Sequence, residues 1–85
     1  MRLIKTADFK KDLKSLPKDI LVIITKQEKI FLKNWIDSRL HTKRIKELKG
    51  VFSFRITRQY RVLFRFEEET AVFFKIGHRK DVYDF

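Results

Sequence analysis

The final third of the chain interleaves arginine with core-forming residues: Phe52-Ser53-Phe54-Arg55-Ile56-Thr57-Arg58-Gln59-Tyr60-Arg61-Val62-Leu63-Phe64-Arg65-Phe66, then Ile76-Gly77-His78-Arg79-Lys80-Asp81-Val82-Tyr83. Strand alternation sends successive side chains to opposite faces, so Arg55, Arg61 and Arg65 can converge on one face of a sheet. Each guanidinium carries a permanent charge and a planar fork that matches two phosphate oxygens. A cluster of this kind is suited to gripping a phosphate group and to neutralising charge that builds on it. Just upstream runs His41-Thr42-Lys43-Arg44-Ile45-Lys46-Glu47-Leu48-Lys49. A basic run is ordinarily a solvated face, but this one leads directly into the arginine-bearing strands. Lys43, Arg44, Lys46 and Lys49 are therefore expected to touch the same anion.

Composition points the same way. The chain has 85 residues and a formal net charge of +10, which disfavours compaction through self-repulsion unless something polyanionic is bound. Nucleic acid is the leading partner class, an acidic protein the second, an anionic membrane the third. The longest wholly apolar run, Ile20 to Ile24, is far short of the ~20 residues that cross a bilayer. No apolar stretch follows Arg2 and Lys5 to make a secretory signal, so a cytoplasmic location is expected. The absence of cysteine fits a reducing compartment and removes disulfides and thiolate chemistry. His41 and His78 are not spaced like metal ligands, and neither a metal nor a cofactor is expected. The length suits one domain spanning residues 1–85.

The elements that must position the arginines read as strand, helices, then sheet. Arg2 to Lys5 suits a short strand. Thr6 or Asp8 can cap a helix whose apolar residues Phe9, Leu13 and Leu16 recur at helical spacing, and which ends before Pro17. Proline suits the first position of a second helix, expected to run to about Ser38. Its broad apolar face carries Ile20, Ile24, Ile30, Phe31 and Trp35; Gln27 and Asn34 intrude as edge residues or contacts to a partner chain. Leu40 to Lys49 is a connector ended by Gly50. Residues 52–57 form a half-buried strand, Arg58-Gln59 a tight turn, and 60–67 a second strand with Tyr60, Val62, Phe64 and Phe66 facing the core. Glu67 to Glu69 make an acidic turn, and Ala71 to Ile76 a third strand. Val82 to Phe85 add an edge or tuck against the sheet. The expected architecture is α+β, with two N-terminal helices packed on one face of a mainly antiparallel sheet of three to five strands, burying Val62, Phe64, Val72 and Phe74.

This order of elements, with Leu48-Lys49-Gly50, the strand Tyr60-Arg61-Val62-Leu63-Phe64 and the terminal Gly77-His78-Arg79-Lys80-Asp81-Val82-Tyr83, resembles the RelE/ParE superfamily of type II toxins. The resemblance covers nearly the whole chain. For RelE-like members it implies metal-independent cleavage of messenger RNA in the ribosomal A site, restrained by a cognate acidic antitoxin. ParE-like members share the fold but poison DNA gyrase. A relative that binds nucleic acid without cutting is a third reading.

In metal-free RNA cleavage a 2′-OH attacks the adjacent phosphorus. The site must supply a base for that hydroxyl, cations for the phosphorane, and help for the departing 5′ oxygen. By the resemblance, Arg61 and Arg79 fall on the phosphate-stabilising arginines, and Tyr83 on a tyrosine that stacks on a base or assists proton transfer. Where well-known members carry paired lysines, this chain has Ser53 and Arg55; Arg55 can replace the charge but is a poor base. The base is left among His41, Glu47, His78 and Tyr83. His78 adjoins Arg79, but adjacent strand residues face opposite ways. Arg65 is expected to pair with a glutamate of the acidic turn, and Trp35 to be structural.

Overall fold

The computed structural model describes residues 1–83. Strand β1 (Arg2–Lys5) leads into α1 (Ala7–Lys14). Thr6 caps that helix, its Oγ1 accepting the Phe9 N–H at 3.2 Å. Helix α2 (Lys18–Lys33) starts directly after Pro17, which sits at the N-cap position. The helix stops five residues before the expected Ser38. Asn34 turns extended at φ −161° and its Oδ1 accepts the Ile36 N–H, so a side chain competes with the helix for a backbone donor. Trp35 is thereby released from the helix to pack edge-on against Phe52 and Phe66, at 5.4 and 5.0 Å between ring centres. A 3₁₀ turn at Ser38–Leu40 follows, with Arg39 clamped to Asp37 by two hydrogen bonds of 3.0 and 2.9 Å.

The remaining elements are β2 (Lys43–Arg44), β3 (Val51–Arg55), β4 (Tyr60–Glu67), β5 (Thr70–His78) and the one-turn helix α3 (Arg79–Val82). They build a five-stranded sheet in the order β1-β5-β4-β3-β2. Only the β1–β5 pairing is parallel. Three features differ from the sequence reading. Part of the basic connector is an edge strand, and a short, lysine-bearing edge discourages unwanted pairing. After His78 the chain forms the one-turn α3 where no helix was expected, and of the two arrangements expected from Val82 onward the tuck is the one seen, Val82 being fully buried; Asp84 and Phe85 lie outside the described residues. An irregularity at Leu63/Phe64 shifts the register so that Phe64 pairs with Phe73. Phe73 thus enters the main core at 0% exposure, while Phe74 is half-buried and turns toward the opposite face. Val62, Phe64 and Val72 are buried as expected.

Phe31 of α2 is the hub of the core, meeting Phe54, Phe64 and Phe73 at 5.3, 4.9 and 5.0 Å between ring centres. Two of these are edge-to-face contacts, favoured by the ring quadrupoles. Gln27 is neither an edge residue nor a partner contact. It is buried, and its Nε2 donates to the carbonyls of Arg55 and Arg39, tying α2 to the end of β3 and to the 3₁₀ turn. Among the described residues, no helix is long and apolar enough to cross a membrane.

Candidate functional site

The sheet face turned away from α1 and α2 carries the arginines. Register sets Arg55 of β3 directly opposite Arg61 of β4, and Arg61 opposite Gly77 of β5. Like charges facing each other across a ladder repel. The Arg61 guanidinium is pressed below its ordinary value by burial first and by the Arg55 charge second, with Arg79 adding to the depression and Tyr83 opposing it. Those four side chains therefore share one electrostatic neighbourhood.

Each is held by a different local device. Arg61 Nη1 folds back on the β3–β4 turn and donates to the carbonyls of Thr57, Arg58 and Tyr60 at 2.9, 2.8 and 3.2 Å. It is half-buried rather than freely exposed, contrary to a simple solvent-facing strand position. Arg55 follows on β3, its carbonyl fixed by Gln27; its Nε is the one buried side-chain nitrogen without a hydrogen-bond partner among the described residues. Arg79 opens α3, and its backbone N–H donates to the Gln59 carbonyl at 2.7 Å, which leaves its side chain exposed. Tyr83 follows the same turn, and its hydroxyl donates to Ser53 Oγ at 3.2 Å. Ser53 is only 2% exposed, so the tyrosine is seated on a fixed acceptor. A small apolar cluster of Ile45, Leu63 and Val82 anchors α3 and the connector beneath them.

Beside Tyr83 opens a cleft of about 500 Å³ lined by Lys43, Arg44, Ile45, Lys46, Glu47, Ser53 and Tyr83. The connector lysines and the tyrosine thus share one hollow. Lys49 lies beyond it, around a separate hollow of about 470 Å³ bounded by residues 44–49. Glu47 is the only carboxylate lining the Tyr83 cleft among the described residues. His41 and His78 do not line it. His41 ends the 3₁₀ turn in a left-handed conformation at φ 49°, and His78 faces the α1 side of the sheet. Arg55, Arg61 and Arg79 form no ion pair among the described residues, whereas Arg65 approaches Glu67 at 3.8 Å and lies over the Phe74 ring at 5.3 Å. Among the described residues no cluster of three or more His, Asp or Glu side chains is placed to hold a metal ion.

Of the four candidate bases, the structure sets Glu47 and Tyr83 in one cleft, and it gives Ser53, noted only as a departure at the lysine positions, a role as the acceptor that seats Tyr83.

No curated protein sequence matches the chain. Among solved structures, YafQ from E. coli strain BL21(DE3) superposes with a TM-score of 0.81 at 12% identity, covering 98% of this chain and 99% of YafQ. The RelB–RelE antitoxin–toxin complex from Methanococcus jannaschii gives 0.68 at 27% identity over 95% of each chain. The archaeal RelE–RelB complex from Pyrococcus horikoshii OT3 gives 0.74 at 16% identity, over 94% and 96%. The family model of the ParE toxin of type II toxin–antitoxin systems, parDE, matches residues 3–83. The chain belongs to that family, and is a type II toxin of the RelE/ParE superfamily.

Proposed function

We propose that this toxin is a metal-independent, ribosome-dependent endoribonuclease that cleaves messenger RNA in the cytoplasm and is restrained by an acidic antitoxin. One observation carries the reading: Arg55, Arg61 and Arg79 gather around Tyr83, and among the described residues no carboxylate pairs with them. Mutual repulsion among uncompensated guanidiniums is relieved by an anion placed between them, and a phosphorane carries more charge than the phosphate it forms from. That difference stabilises the transition state over the bound substrate.

In this mechanism Arg61 and Arg79 hold the non-bridging oxygens, and Arg55 adds charge from the neighbouring strand. Tyr83, seated on Ser53, stacks on a base or passes a proton. Glu47 is the group best placed to accept the proton of the 2′-OH, because a carboxylate is a far better base than a guanidinium and it lines the same cleft. The attack forms the bond from the 2′ oxygen to phosphorus and breaks the bond to the 5′ oxygen, leaving a 2′,3′-cyclic phosphate. Lys43, Arg44 and Lys46 contact the backbone on either side; Lys49 extends that basic surface.

The antitoxin follows from charge and from similarity to structures solved as antitoxin–toxin complexes. An acidic segment folding across the arginines would neutralise and desolvate the groups that RNA needs. The parDE family match favours a second reading, inhibition of DNA gyrase. The two separate in one experiment: purified protein is added to translation of a defined message and, separately, to a gyrase supercoiling reaction. New 5′ ends in the message, with supercoiling unaffected, are expected; blocked supercoiling with intact message gives the gyrase reading instead.

A further inference from the structure

His78 adjoins Arg79 in sequence, yet its imidazole stands away from the Tyr83 cleft. It is paired with Tyr60 across β4 and β5, and the two rings meet edge-to-face at 5.7 Å and 73°. Tyr60 packs against the main core, so this is the helix-facing side of the sheet. There His78 borders a hollow of about 320 Å³ shared with Asp12, Ser15 and Asp81, none of which lines the Tyr83 cleft. Its backbone is extended, with φ −64° and ψ 142°, and its Nδ1 accepts the Lys80 N–H at 3.2 Å.

We propose that His78 is a positioning residue: by capping α3 and bracing against Tyr60 it holds Arg79 and Tyr83 in place beside Arg61, without touching the RNA. Helix α3 is a single turn, far too short to persist on its own, because nucleation costs more than one turn returns. Its placement depends on a few ties: the His78 cap, the Arg79 N–H on Gln59, and buried Val82. The cap is the tie made by a side chain at the start of the turn, one residue before Arg79. A ring whose Nδ1 is occupied by an amide and whose edge lies on Tyr60 is badly placed to exchange a proton with a nucleotide beside Tyr83. The expectation that an adjacent histidine joins the chemistry thus gives way to a mechanical role.

The rate readout rests on the cleavage reading; the structural readout does not. His78→Asn keeps a strong N-cap acceptor and removes every titratable atom, whereas His78→Ala removes the acceptor. On ribosome-bound message, His78→Ala is expected to cut about ten- to a hundred-fold more slowly, as loosened geometry commonly costs, and His78→Asn to stay within about three-fold of the parent. In parallel, hydrogen exchange at the Lys80 amide should lose protection in His78→Ala and keep it in His78→Asn, with thermal unfolding confirming that both variants are folded. Equal loss of cutting in both, with Lys80 protection retained in His78→Asn, would overturn the proposal in favour of direct chemistry by the imidazole. Parental cutting by His78→Ala would overturn it as well. If the parent cuts nothing, the cleavage reading fails, and undiminished Lys80 protection in His78→Ala would then sink the cap on its own terms.

Discussion

The two faces of the sheet are built on opposite principles. Toward α1 and α2 the strands present Phe54, Val62, Phe64 and Phe73, all at 0% exposure and locked around Phe31. The other face buries only a small cluster under α3, and sets Arg55 opposite Arg61 with Arg79 nearby. The first arrangement is complete as it stands, since every ring has partners. The second holds charge that no carboxylate among the described residues pairs with. On the proposed function, stability and chemistry are separated by the thickness of one sheet, and substitutions on the two faces should have different signatures.

The largest expected effect on folding comes from Phe31→Ala. Removing the hub ring should cost about 3–5 kcal/mol through lost burial and the cavity left behind, a serious fraction of the stability of a small domain. Urea denaturation measures it directly, and a loss under about 1 kcal/mol would deny Phe31 its central place. On the opposite face, Arg79→Ala should lower cleavage by about 10²–10³, roughly 2.7–4 kcal/mol in the barrier, while its melting temperature stays near that of the parent. Arg79→Lys should recover part of the rate, keeping charge without the fork. Arg61→Ala is a less clean experiment than alternation alone suggests. Its guanidinium also ties down the β3–β4 turn, so about 1 kcal/mol of stability should go with the activity.

A smaller effect sharpens the contrast. A short RNA should raise the melting temperature of the parent, because a ligand that binds only the folded state stabilises it. The gain should shrink as salt rises and be weaker in Arg79→Ala. Equal stabilisation of both proteins would move the phosphate contacts elsewhere. Smallest of all is a pH effect at the 3₁₀ turn. Hydrogen bonds from Arg39, side chain first and backbone second, hold the Asp37 carboxyl down to about 2 from an ordinary 3.8. A depressed carboxyl stabilises the fold above its unfolded pKa, and that contribution fades as pH falls from about 4 toward 2. Asp37→Asn should flatten this part of an acid titration and change little at neutral pH.

How much of this was legible in the sequence differs by face too. Alternation located Val62 and Phe64 in the core, and the helices over them, because burial of a half-apolar strand is a local pattern. It failed at Phe73 and Phe74, where one register shift exchanges inside for outside, and a shift leaves no mark in a run of apolar residues. The end of α2 was hidden because an apolar stripe continues through Trp35 and Ile36 after Asn34 has already diverted the backbone. Gln27 looked like an intrusion since its acceptors lie on β3 and the 3₁₀ turn, far along the chain. On the charged face, Arg55 and Arg61 were readable from spacing. The turn that carries Arg79 and Tyr83 was not, since a one-turn helix is specified by its cap and its docking rather than by periodicity.

The central claim is that the uncompensated arginine face performs phosphoryl chemistry while the aromatic face only holds it in place. Its most direct test is translation of a defined message with parent or Arg79→Ala protein, mapping new 5′ ends against the reading frame. The account predicts in-frame ends with the parent, unchanged by a chelator, and at least a hundred-fold fewer with an equally stable Arg79→Ala protein. Equal cutting by the two proteins, or no cutting by a folded parent, would contradict it.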